Sequence, residues 1–432
     1  MTLGALWLLA CTPRGTPEAV TVTVDANIAT VLHVTWETEE PELGRVEFGT
    51  DDGYGTRTTL EAEPSTQHTA TLLGLRGDTL VHLRTLGDDR VGADHTATTG
   101  TIPDEIPGFD EVSPITAAVG PWMLTTVIDL ATTSTYILIV DVEGVPVWYW
   151  TVPAGGIESV RPTRDGLAVQ GVLTNHDDRA FNELVRVELA GTETRTPAPW
   201  AHHDFVELDD GTLAKLVTDI RDTDLGRVAG DLLVEVSPAG EETVIWDAFE
   251  SLELVENDGW DYAIIPGAED WTHANGIAYD SRDGSYYISF FFTENVVKID
   301  RATGETVWIL GGHENQFTFA GDAGFGPQHA PEIFDGGLRL FDNGTSNSRL
   351  VEYTLDETSM TATLTWSWEP EPSAWAIALG DVARFEDGSA IGAWGFLGTI
   401  YGVGADGEAA GVLQSEGAMP VGQVEILEGF YL

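Results

Sequence analysis

Cysteine and positive charge are both scarce in this sequence, and each shortage excludes a class of structure or partner. Cys11 is the single cysteine among 432 residues, so an intrachain disulfide is impossible. There are 20 Lys and Arg against 71 Asp and Glu, and the formal net charge at pH 7 is −51. A field of that sign repels phosphate backbones and anionic lipids, which argues against nucleic acid and an anionic membrane surface as partners. Any anion site must therefore be built locally, from histidine, arginine or backbone N–H groups.

The sequence also lacks an apolar run long enough to cross a membrane. The one candidate for a membrane span, the segment before Cys11, is too short to span a bilayer. Leu8-Leu9-Ala10-Cys11 resembles the lipobox of a bacterial lipoprotein, in which an apolar stretch and a small residue precede a cysteine that is acylated after cleavage. The resemblance implies a signal peptide and leader over residues 1–16 and lipid attachment at Cys11. It predicts a bacterial cell-envelope protein, lipid-anchored or periplasmic/extracellular. A disordered apolar N-terminus with an incidental cysteine is the alternative.

Residues 17–102 contain short alternating strands separated by turn residues, among them VTVTVD, TVLHVTWET and TLVHLRTLG. This spacing predicts a small β-sandwich. The segment HVTWETEEPELGRVEFG and the run HTATLLGLRGDTLVHLR resemble an Ig-like domain of the fibronectin type III kind. Trp36 is interpreted as its core tryptophan, since an inward tryptophan between two sheets is the ordinary structural use of that residue. Residues 103–112, which include Pro103 and Gly108, are predicted to be a linker.

The chain from 113 to 432 repeats one pattern: an apolar strand, a D-G turn, a second strand, and an outer strand followed by G-x-x-V-W. The clearest copies are ILIVDVEGVPVWYW, LLVEVSPAGEETVIW and VVKIDRATGETVWIL. About six units of roughly 45 to 60 residues are present, each sufficient for one four-stranded blade. The C-terminal GQVEILEGFYL resembles the opening half of a unit, which the first unit lacks. The sequence therefore predicts an all-β protein whose second domain is a six-bladed β-propeller closed by the C-terminal strand.

Histidines recur at similar phases of three of these units. They are His202 and His203 in WAHHDFVEL, His273 in DWTHANG, and His329 in GPQHAPEIF. The innermost strands of successive blades converge on the channel of a propeller, so side chains far apart in sequence can meet there. Repeats ordinarily share glycines and apolar residues, and a titratable residue at a repeated phase therefore favours a functional site over structural histidines. No close paired spacing or nearby thiol supports zinc, so neither a metal nor a cofactor is predicted.

The order of motifs over residues 115–432 resembles the bacterial arylsulfotransferase (ASST) family. W-x-H is followed by VVKIDRATGETVWILGG, FGPQH, LFDNGTSNSRLVEY and W-x-W-E. The resemblance implies a periplasmic or secreted six-bladed propeller that moves a sulfuryl group from one phenol to another by a ping-pong route, without a nucleotide donor. It also implies a histidine nucleophile, with further histidines and an arginine that bind the sulfate at the channel. Small phenols and aryl sulfates are then the expected partners.

Three positions depart from the pattern of that family. Phe291-Phe292 stand where the family carries Arg-His, Thr345-Ser346 follow D-N-G where it carries an arginine, and Tyr401 stands in place of the nucleophilic histidine. Tyrosine, with an ordinary pKa of about 10, is a poor nucleophile unless a neighbouring cation lowers that pKa. Two functions therefore stay open: an ASST-like sulfuryl transferase with an altered site, or a noncatalytic surface-anchored propeller that binds a small aromatic or polymeric ligand or a protein. A hydrolase of sulfate or phosphate esters is a third.

The sequence thus predicts one group of catalytic residues and one group of substrate-binding residues. Phe291, Phe292 and Trp271 could wall an aryl site, and Arg349 could either contact an anion or support a blade. The catalytic candidates are His273, His329, His203 and Tyr401, and the substrate-binding candidates are His202, Trp271, Phe291, Phe292, Asn343 and Arg349.

Overall fold

The computed structural model describes residues 19–116, 120–153, 155–175, 178–257, 259 and 265–431. These residues divide into two compact units: unit 1 contains residues 19–103 and Tyr431, and unit 2 contains residues 104–430. The predicted signal peptide, its leader and Cys11 lie outside the described residues. Strands dominate both units, which confirms the all-β prediction. Within the described ranges, no helix has the length and hydrophobicity needed to cross a membrane.

Unit 1 consists of two antiparallel sheets that share one core. Its strands are β1 (Thr21–Val24), β2 (Leu32–Glu42), β3 (Arg45–Gly49), β4 (Thr56–Arg57), β5 (Ser65–Leu72), β6 (Leu80–Leu86) and β7 (His95–Thr98). They pair in the orders β1-β2-β5 and β4-β3-β6-β7. Burial alternates along β2, where Leu32, Val34 and Trp36 face the core. Trp36 is 2% exposed and stacks on His68 at a centroid distance of 4.9 Å, so the prediction of a core tryptophan is confirmed.

The described part of unit 2 forms six sheets of mainly antiparallel strands. Sheet 1 contains β9 (Trp122–Asp129), β10 (Ser134–Asp141), β11 (Pro146–Val152) and the C-terminal β34 (Glu425–Leu427). Sheet 2 contains β12 (Val160–Pro162), β13 (Ala168–Leu173), β14 (Glu183–Glu188) and β15 (Glu193–Pro197). Sheet 3 contains β16 (Ala201–Glu207), β17 (Leu213–Thr223), β18 (Gly226–Val236) and β19 (Glu242–Asp247), with β20 (Glu269–Asp270) parallel to β18.

Sheet 4 contains β21 (Ala274–Asp280), β22 (Ser285–Phe290), β23 (Asn295–Asp300) and β24 (Thr306–Gly311). Sheet 5 contains β26 (Gln328–Phe334), β27 (Gly337–Asp342), β28 (Arg349–Asp356) and β29 (Thr361–Trp368), with β25 (Thr318–Ala320) parallel to β29. Sheet 6 contains β30 (Asp381–Arg384), β31 (Ala390–Trp394), β32 (Thr399–Val403), β33 (Ala409–Ser415) and β8 (Phe109–Ser113). The described helical segments are α1 (Ala248–Ser251) and the 3₁₀ turns Arg179–Phe181, Gly395–Leu397 and Glu416–Ala418.

Neighbouring sheets bury their faces against each other, which explains the nearly continuous apolar strands of the repeat. Strand β22 is buried at every position. Tyr286 and Ile288 belong to a core shared with sheet 3, whereas Tyr287 belongs to a core shared with sheet 5. Successive side chains of a strand point to opposite faces, so a strand that is covered on both faces needs apolar residues at both phases.

The first strands of sheets 3 to 6 lie side by side. Strand β16 contacts β21, β21 contacts β26, and β26 contacts β30. The approach of β21 to β26 requires glycine at position 276, because a Cβ there would lie 2.6 Å from Cδ of Pro331. Side chains at equivalent positions of these strands therefore meet at one place in unit 2.

Both ends of unit 2 pair with strands that are distant in sequence. Strand β8 pairs with β33, so the segment predicted to be a linker, 103–112, includes most of a strand. The partner of β8 lies near the other end of the chain, and the short segment itself carries no strand pattern long enough to indicate it. Strand β34 pairs with β9 and supplies the fourth strand of sheet 1.

Removal of the C-terminal strand should destabilise all of unit 2. Val424 N–H donates to Asp381 Oδ2 at 2.7 Å and Glu425 accepts from Arg161 Nη1 at 2.8 Å, so β34 connects sheet 1 to sheets 2 and 6. We expect a chain that ends at Gly422 to melt roughly 5 °C or more below the full-length chain in scanning calorimetry. A chain that ends at Phe430 keeps β34 and is the matched control. Equal melting temperatures for unit 2 in both shortened chains would contradict this expectation.

Candidate functional site

Three predicted histidines lie close together because each is at the start of the first strand of its sheet, in sheets 3, 4 and 5. His203 is in β16, His273 directly precedes β21, and His329 is in β26. Each strand carries a register shift just after its histidine, and His203, His273 and Ala330 have φ values of +53°, +52° and +51°. Left-handed conformations cost roughly 1–3 kcal/mol each for non-glycine residues and cluster at functional sites. The repeated bulge turns the three histidines toward the same space.

A cavity of about 500 Å³ opens beside these side chains and is called the histidine cavity below. Its polar lining includes Glu158, Arg179, His203, His273 and His329, and its apolar lining includes Phe291, Phe292, Trp375, Ile377 and Leu379. The rings of His203 and His273 are 4.8 Å apart between centroids, and Phe291 lies 6.0 Å from His273 and 5.3 Å from His329. Volume and lining match a site for a small aromatic ligand with a few polar groups.

His329 is held as a neutral imidazole whose Nε2 has no hydrogen-bond partner among the described residues. Its Nδ1 lies 2.7 Å from Oδ1 of Asn343, and the Asn343 amide nitrogen donates to the carbonyl oxygens of Ala376 and Leu379 at 2.9 and 2.8 Å. Asn343 therefore presents an acceptor, and the His329 proton must be on Nδ1. Burial lowers the pKa of His329 to about 3, against a smaller opposing effect of the Asn343 hydrogen bond. The lone pair of Nε2 is thus available at neutral pH.

His273 is held by a carboxylate instead of an amide. Nδ1 of His273 donates to Oδ2 of Asp270 at 2.7 Å, and Asp270 is 3% exposed. Burial alone would lower the pKa of His273, but the charge and hydrogen bond of Asp270, together with the charges of Asp231 and Glu158, raise that pKa above its ordinary value. His273 is therefore the histidine of this cavity that is suited to carry a positive charge toward an anion.

Binding of inorganic sulfate should weaken as the pH rises through the raised pKa of His273. The imidazolium donates a charge-assisted hydrogen bond below that pKa and loses its charge above it, so we expect roughly a tenfold or larger rise in Kd across this range. Replacement of Asp270 by asparagine removes the charge that raises the pKa, and it should move the loss of binding to lower pH. Isothermal titration with sulfate at a series of pH values measures both curves, and superimposed curves would count against His273 as the anion contact.

His203 completes the group from the side of sheet 3. Its Nδ1 lies 2.7 Å from Nδ1 of His202, and its Nε2 lies 3.0 Å from Oε2 of Glu158, although that oxygen has no hydrogen-bond partner in the described structure. Burial, followed by the charge of His273, lowers the pKa of His203 well below its ordinary value. His203 is therefore neutral, and no described residue forms a hydrogen bond with its Nε2.

Arg179 is a positively charged residue of the histidine cavity that no sequence motif predicts. It lies on the 3₁₀ turn Arg179–Phe181, its Nη1 is 3.4 Å from Oγ1 of Thr218, and among the described residues no carboxylate forms an ion pair with it. In a chain with a net charge of −51, an arginine that lines a cavity without an acidic partner is unusual. It lies outside the repeat phase that marks the histidines, so no sequence signal pointed to it.

The predicted substrate-binding residues Phe291, Phe292, Asn343, Trp271 and Arg349 have four different placements. Phe291 and Phe292 line the histidine cavity, and Asn343 positions His329. Trp271 is fully buried, packs 5.4 Å from Phe249 and is not part of the lining. Arg349 donates to Asp342, Asp322 and the carbonyl oxygen of Gly324, which makes it a support within sheet 5.

Tyr401 is not brought together with the histidines. It is in β32, the third strand of sheet 6, and its ring packs 4.9 Å from Trp394 and 5.6 Å from Trp368. Burial raises the pKa of Tyr401, which opposes formation of a phenolate nucleophile. Thr345, which stands near the position where the family carries an arginine, lines the cavity. Among the described residues, no group of three His, Cys, Asp or Glu side chains is arranged to hold a metal ion.

Comparison with known proteins gives one family. Residues 123–400 match the family model described as Arylsulfotransferase (ASST). A comparison with proteins of curated function gives no match.

Solved structures resemble the chain at low sequence identity. A nidogen/laminin complex and a protein of unknown function from Bacteroides caccae each show 12% identity and a TM-score of 0.46, with 71% of this chain and 98% of that chain covered. An auxiliary nutrient binding protein from Bacteroides ovatus shows 11% identity and a TM-score of 0.42, with 93% of this chain and 87% of that chain covered. Likenesses at this level support no inference about ligand or activity.

Proposed function

Because the chain belongs to the arylsulfotransferase (ASST) family, whose model covers residues 123–400, we propose that it transfers a sulfuryl group from an aryl sulfate to a phenol in the histidine cavity. The observation that carries the proposal is the free Nε2 of a neutral His329 in a cavity that is walled by aromatic rings. An aryl group packs against Phe291 and Phe292, and the sulfate lies toward the polar wall.

In the first half-reaction, Nε2 of His329 attacks the sulfur atom of the aryl sulfate. An N–S bond forms, the S–O bond to the aryl group breaks, and the phenolate leaves with the electron pair. The proton stays on Nδ1 of His329, where it is hydrogen-bonded to Oδ1 of Asn343, so the modified ring carries the positive charge of an imidazolium beside the negative sulfo group. Arg179 and protonated His273 stabilise the sulfate oxygens, whose charge shifts in the transition state.

In the second half-reaction, an acceptor phenol attacks the same sulfur atom. The S–O bond forms as the phenolic O–H gives its proton to a base, the N–S bond breaks, and the electron pair returns to Nε2 of His329. The negative field of the protein repels both the anionic donor and the anionic products, so the local cations of the cavity are necessary for binding the donor.

The proposal is tested with p-nitrophenyl sulfate as donor and phenol as acceptor. We expect release of nitrophenolate to depend on phenol and to follow ping-pong kinetics, with unchanged rates in a His313→Ala control, because His313 is exposed and outside the cavity. Release that does not depend on phenol would instead indicate a hydrolase. Saturable binding of the donor without release would indicate the noncatalytic binding protein.

The finer architecture is part of this proposal. The strand orders β1-β2-β5 and β4-β3-β6-β7 support a fibronectin type III-like sandwich in unit 1. The six sheets, with the first strands of sheets 3 to 6 side by side, support a six-bladed propeller in which β34 completes sheet 1. We also propose attachment to the cell envelope by a lipid at Cys11, on the basis of the lipobox-like sequence. A Cys11→Ser chain that stays in the membrane fraction of a bacterial host would contradict that attachment.

A further inference from the structure

A buried chain of hydrogen bonds leads from the histidine cavity to a carboxylate. Nδ1 of His203 is 2.7 Å from Nδ1 of His202, and Nε2 of His202 is 2.9 Å from Oδ1 of Asp231. His202 is 2% exposed and Asp231 is 4% exposed, and neither lines the cavity. The two half-reactions use neither residue, although a buried carboxylate is costly unless it has a specific partner.

The direction of these hydrogen bonds follows from the partners of Asp231. Its Oδ2 accepts from the Thr272 hydroxyl at 2.6 Å and from the Ala274 N–H at 2.7 Å. Burial alone would raise the pKa of Asp231, but the charge and hydrogen bond of His202 and these two donors hold that pKa below its ordinary value. Asp231 is therefore an ionised acceptor at both oxygens, and Nε2 of His202 must carry the proton that lies between them.

The same rule determines where His203 carries its proton. When His202 holds a single proton, on Nε2, its Nδ1 carries a lone pair, and Nδ1–H of His203 donates to it. The lone pair of His203 is then on Nε2, which lies 3.0 Å from Oε2 of Glu158 without a hydrogen bond between them. A histidine tautomer that is set by the partner of the opposite nitrogen is the usual way to prepare a base.

We propose that Asp231 and His202 are positioning residues that hold the proton of His203 on Nδ1, so that Nε2 of His203 serves as the general base for the phenolic acceptor. This inference rests on the proposed sulfuryl transfer. The acceptor O–H gives its proton to Nε2 of His203 while its oxygen forms the S–O bond, and the electron pair of the breaking N–S bond returns to His329. Oε2 of Glu158, 3.0 Å from Nε2, stabilises the imidazolium that results, and the proton then passes to solvent.

The tautomer can be measured without any turnover. In the unmodified protein with ¹⁵N-labelled histidine, NMR should show His203 protonated on Nδ1 and unprotonated on Nε2, with signals assigned by their loss in a His203→Gln chain. A neutral His203 that carries its proton on Nε2 would overturn the inference. This measurement is independent of activity, so it distinguishes failure of the positioning role from failure of the proposed transfer.

Replacement of Asp231 by asparagine should exchange donor and acceptor in the hydrogen bonds that join residue 231, His202 and His203. The amide oxygen must face the donors Thr272 and Ala274, so the amide N–H₂ faces His202 and makes its Nε2 an acceptor. The proton of His203 then moves to Nε2, and the base is lost. We expect kcat to fall by roughly 10²- to 10⁴-fold with neutral phenols, with little change in the KM of the donor.

An acceptor that is already ionised at the assay pH should recover much of this loss, because it needs no base. Asp270→Asn is the matched control: it also neutralises a buried carboxylate that is hydrogen-bonded to a histidine, in this case to Nδ1 of His273, and it should leave the His203 tautomer unchanged. Equal losses with ionised and neutral acceptors, or an unchanged tautomer in Asp231→Asn, would contradict the proposal. If the Asp231→Asn chain does not fold, the tautomer of the unmodified protein decides.

Discussion

Sulfuryl transfer should fall by about 10⁴-fold or more when His329 is replaced by alanine, because the substitution removes the atom that forms the N–S bond. Binding of the aryl donor should change far less, since Phe291, Phe292 and Arg179 stay in place. Steady-state rates with p-nitrophenyl sulfate measure the loss, and isothermal titration measures the binding that is retained.

The covalent intermediate gives a second test of the same residue. After the donor is added without acceptor, mass spectrometry of the digested protein should find a sulfo group on the peptide that contains His329, and the His329→Ala chain should show none. Replacement of Asn343 by alanine is a graded control, because it keeps the imidazole but removes the acceptor that holds its Nδ1 proton. We expect a smaller loss of kcat there, and a sulfo group found on His203 instead would reassign the nucleophile.

Replacement of Asp204 by alanine should cost about 3–5 kcal/mol of unfolding free energy, because it removes a buried carboxylate and leaves Arg161 and several other donors without that acceptor. Asp204 is 1% exposed and accepts hydrogen bonds from Arg161, from the Ser159 hydroxyl at 2.7 Å and from the Ile277 N–H at 3.0 Å. These partners belong to sheets 2 and 4, or directly precede β12, while Asp204 itself lies in β16 of sheet 3. One side chain therefore joins three sheets.

Urea unfolding followed by tryptophan fluorescence measures this cost for unit 2. Asp204→Asn keeps the size of the side chain and should lose less than Asp204→Ala, since the amide can still accept part of these bonds. Asp209→Ala is the matched surface control: its carboxylate is 90% exposed, and we expect a change within about 0.5 kcal/mol. Similar stability of the Asp204→Ala and Asp209→Ala chains would show that Asp204 does not join the sheets.

Local sequence patterns were sufficient for much of the fold. The short alternating strands of unit 1 predicted a sandwich with Trp36 in its core, and the VVKID and G-x-x-V-W elements indicated the outer strands of a repeated unit. The limit is illustrated by β8, whose pairing with β33 brings together residues from opposite ends of unit 2. A five-residue strand carries too little pattern to specify such a partner, and the segment resembled a linker for that reason.

The candidate site shows the same division between local and long-range information. The repeated phase of His203, His273 and His329 predicted that these residues meet, since equivalent positions of neighbouring first strands lie side by side. The cavity position of Arg179 and the distance of Tyr401 from the histidines depend on how turns and outer strands pack. The periodicity of the sequence does not predict how these turns and outer strands pack.

By itself, the sequence determined that this protein is all-β, that its second unit repeats one strand pattern, and that histidines recur at one phase of that pattern. These properties are local, because strand periodicity, turn residues and the position of a histidine within a repeat are written in neighbouring residues. The tertiary structure alone decided which nitrogen of each histidine is free. Asn343, Asp270 and Asp231 make that selection, and each reaches its histidine, directly or through His202, only after the sheets have packed.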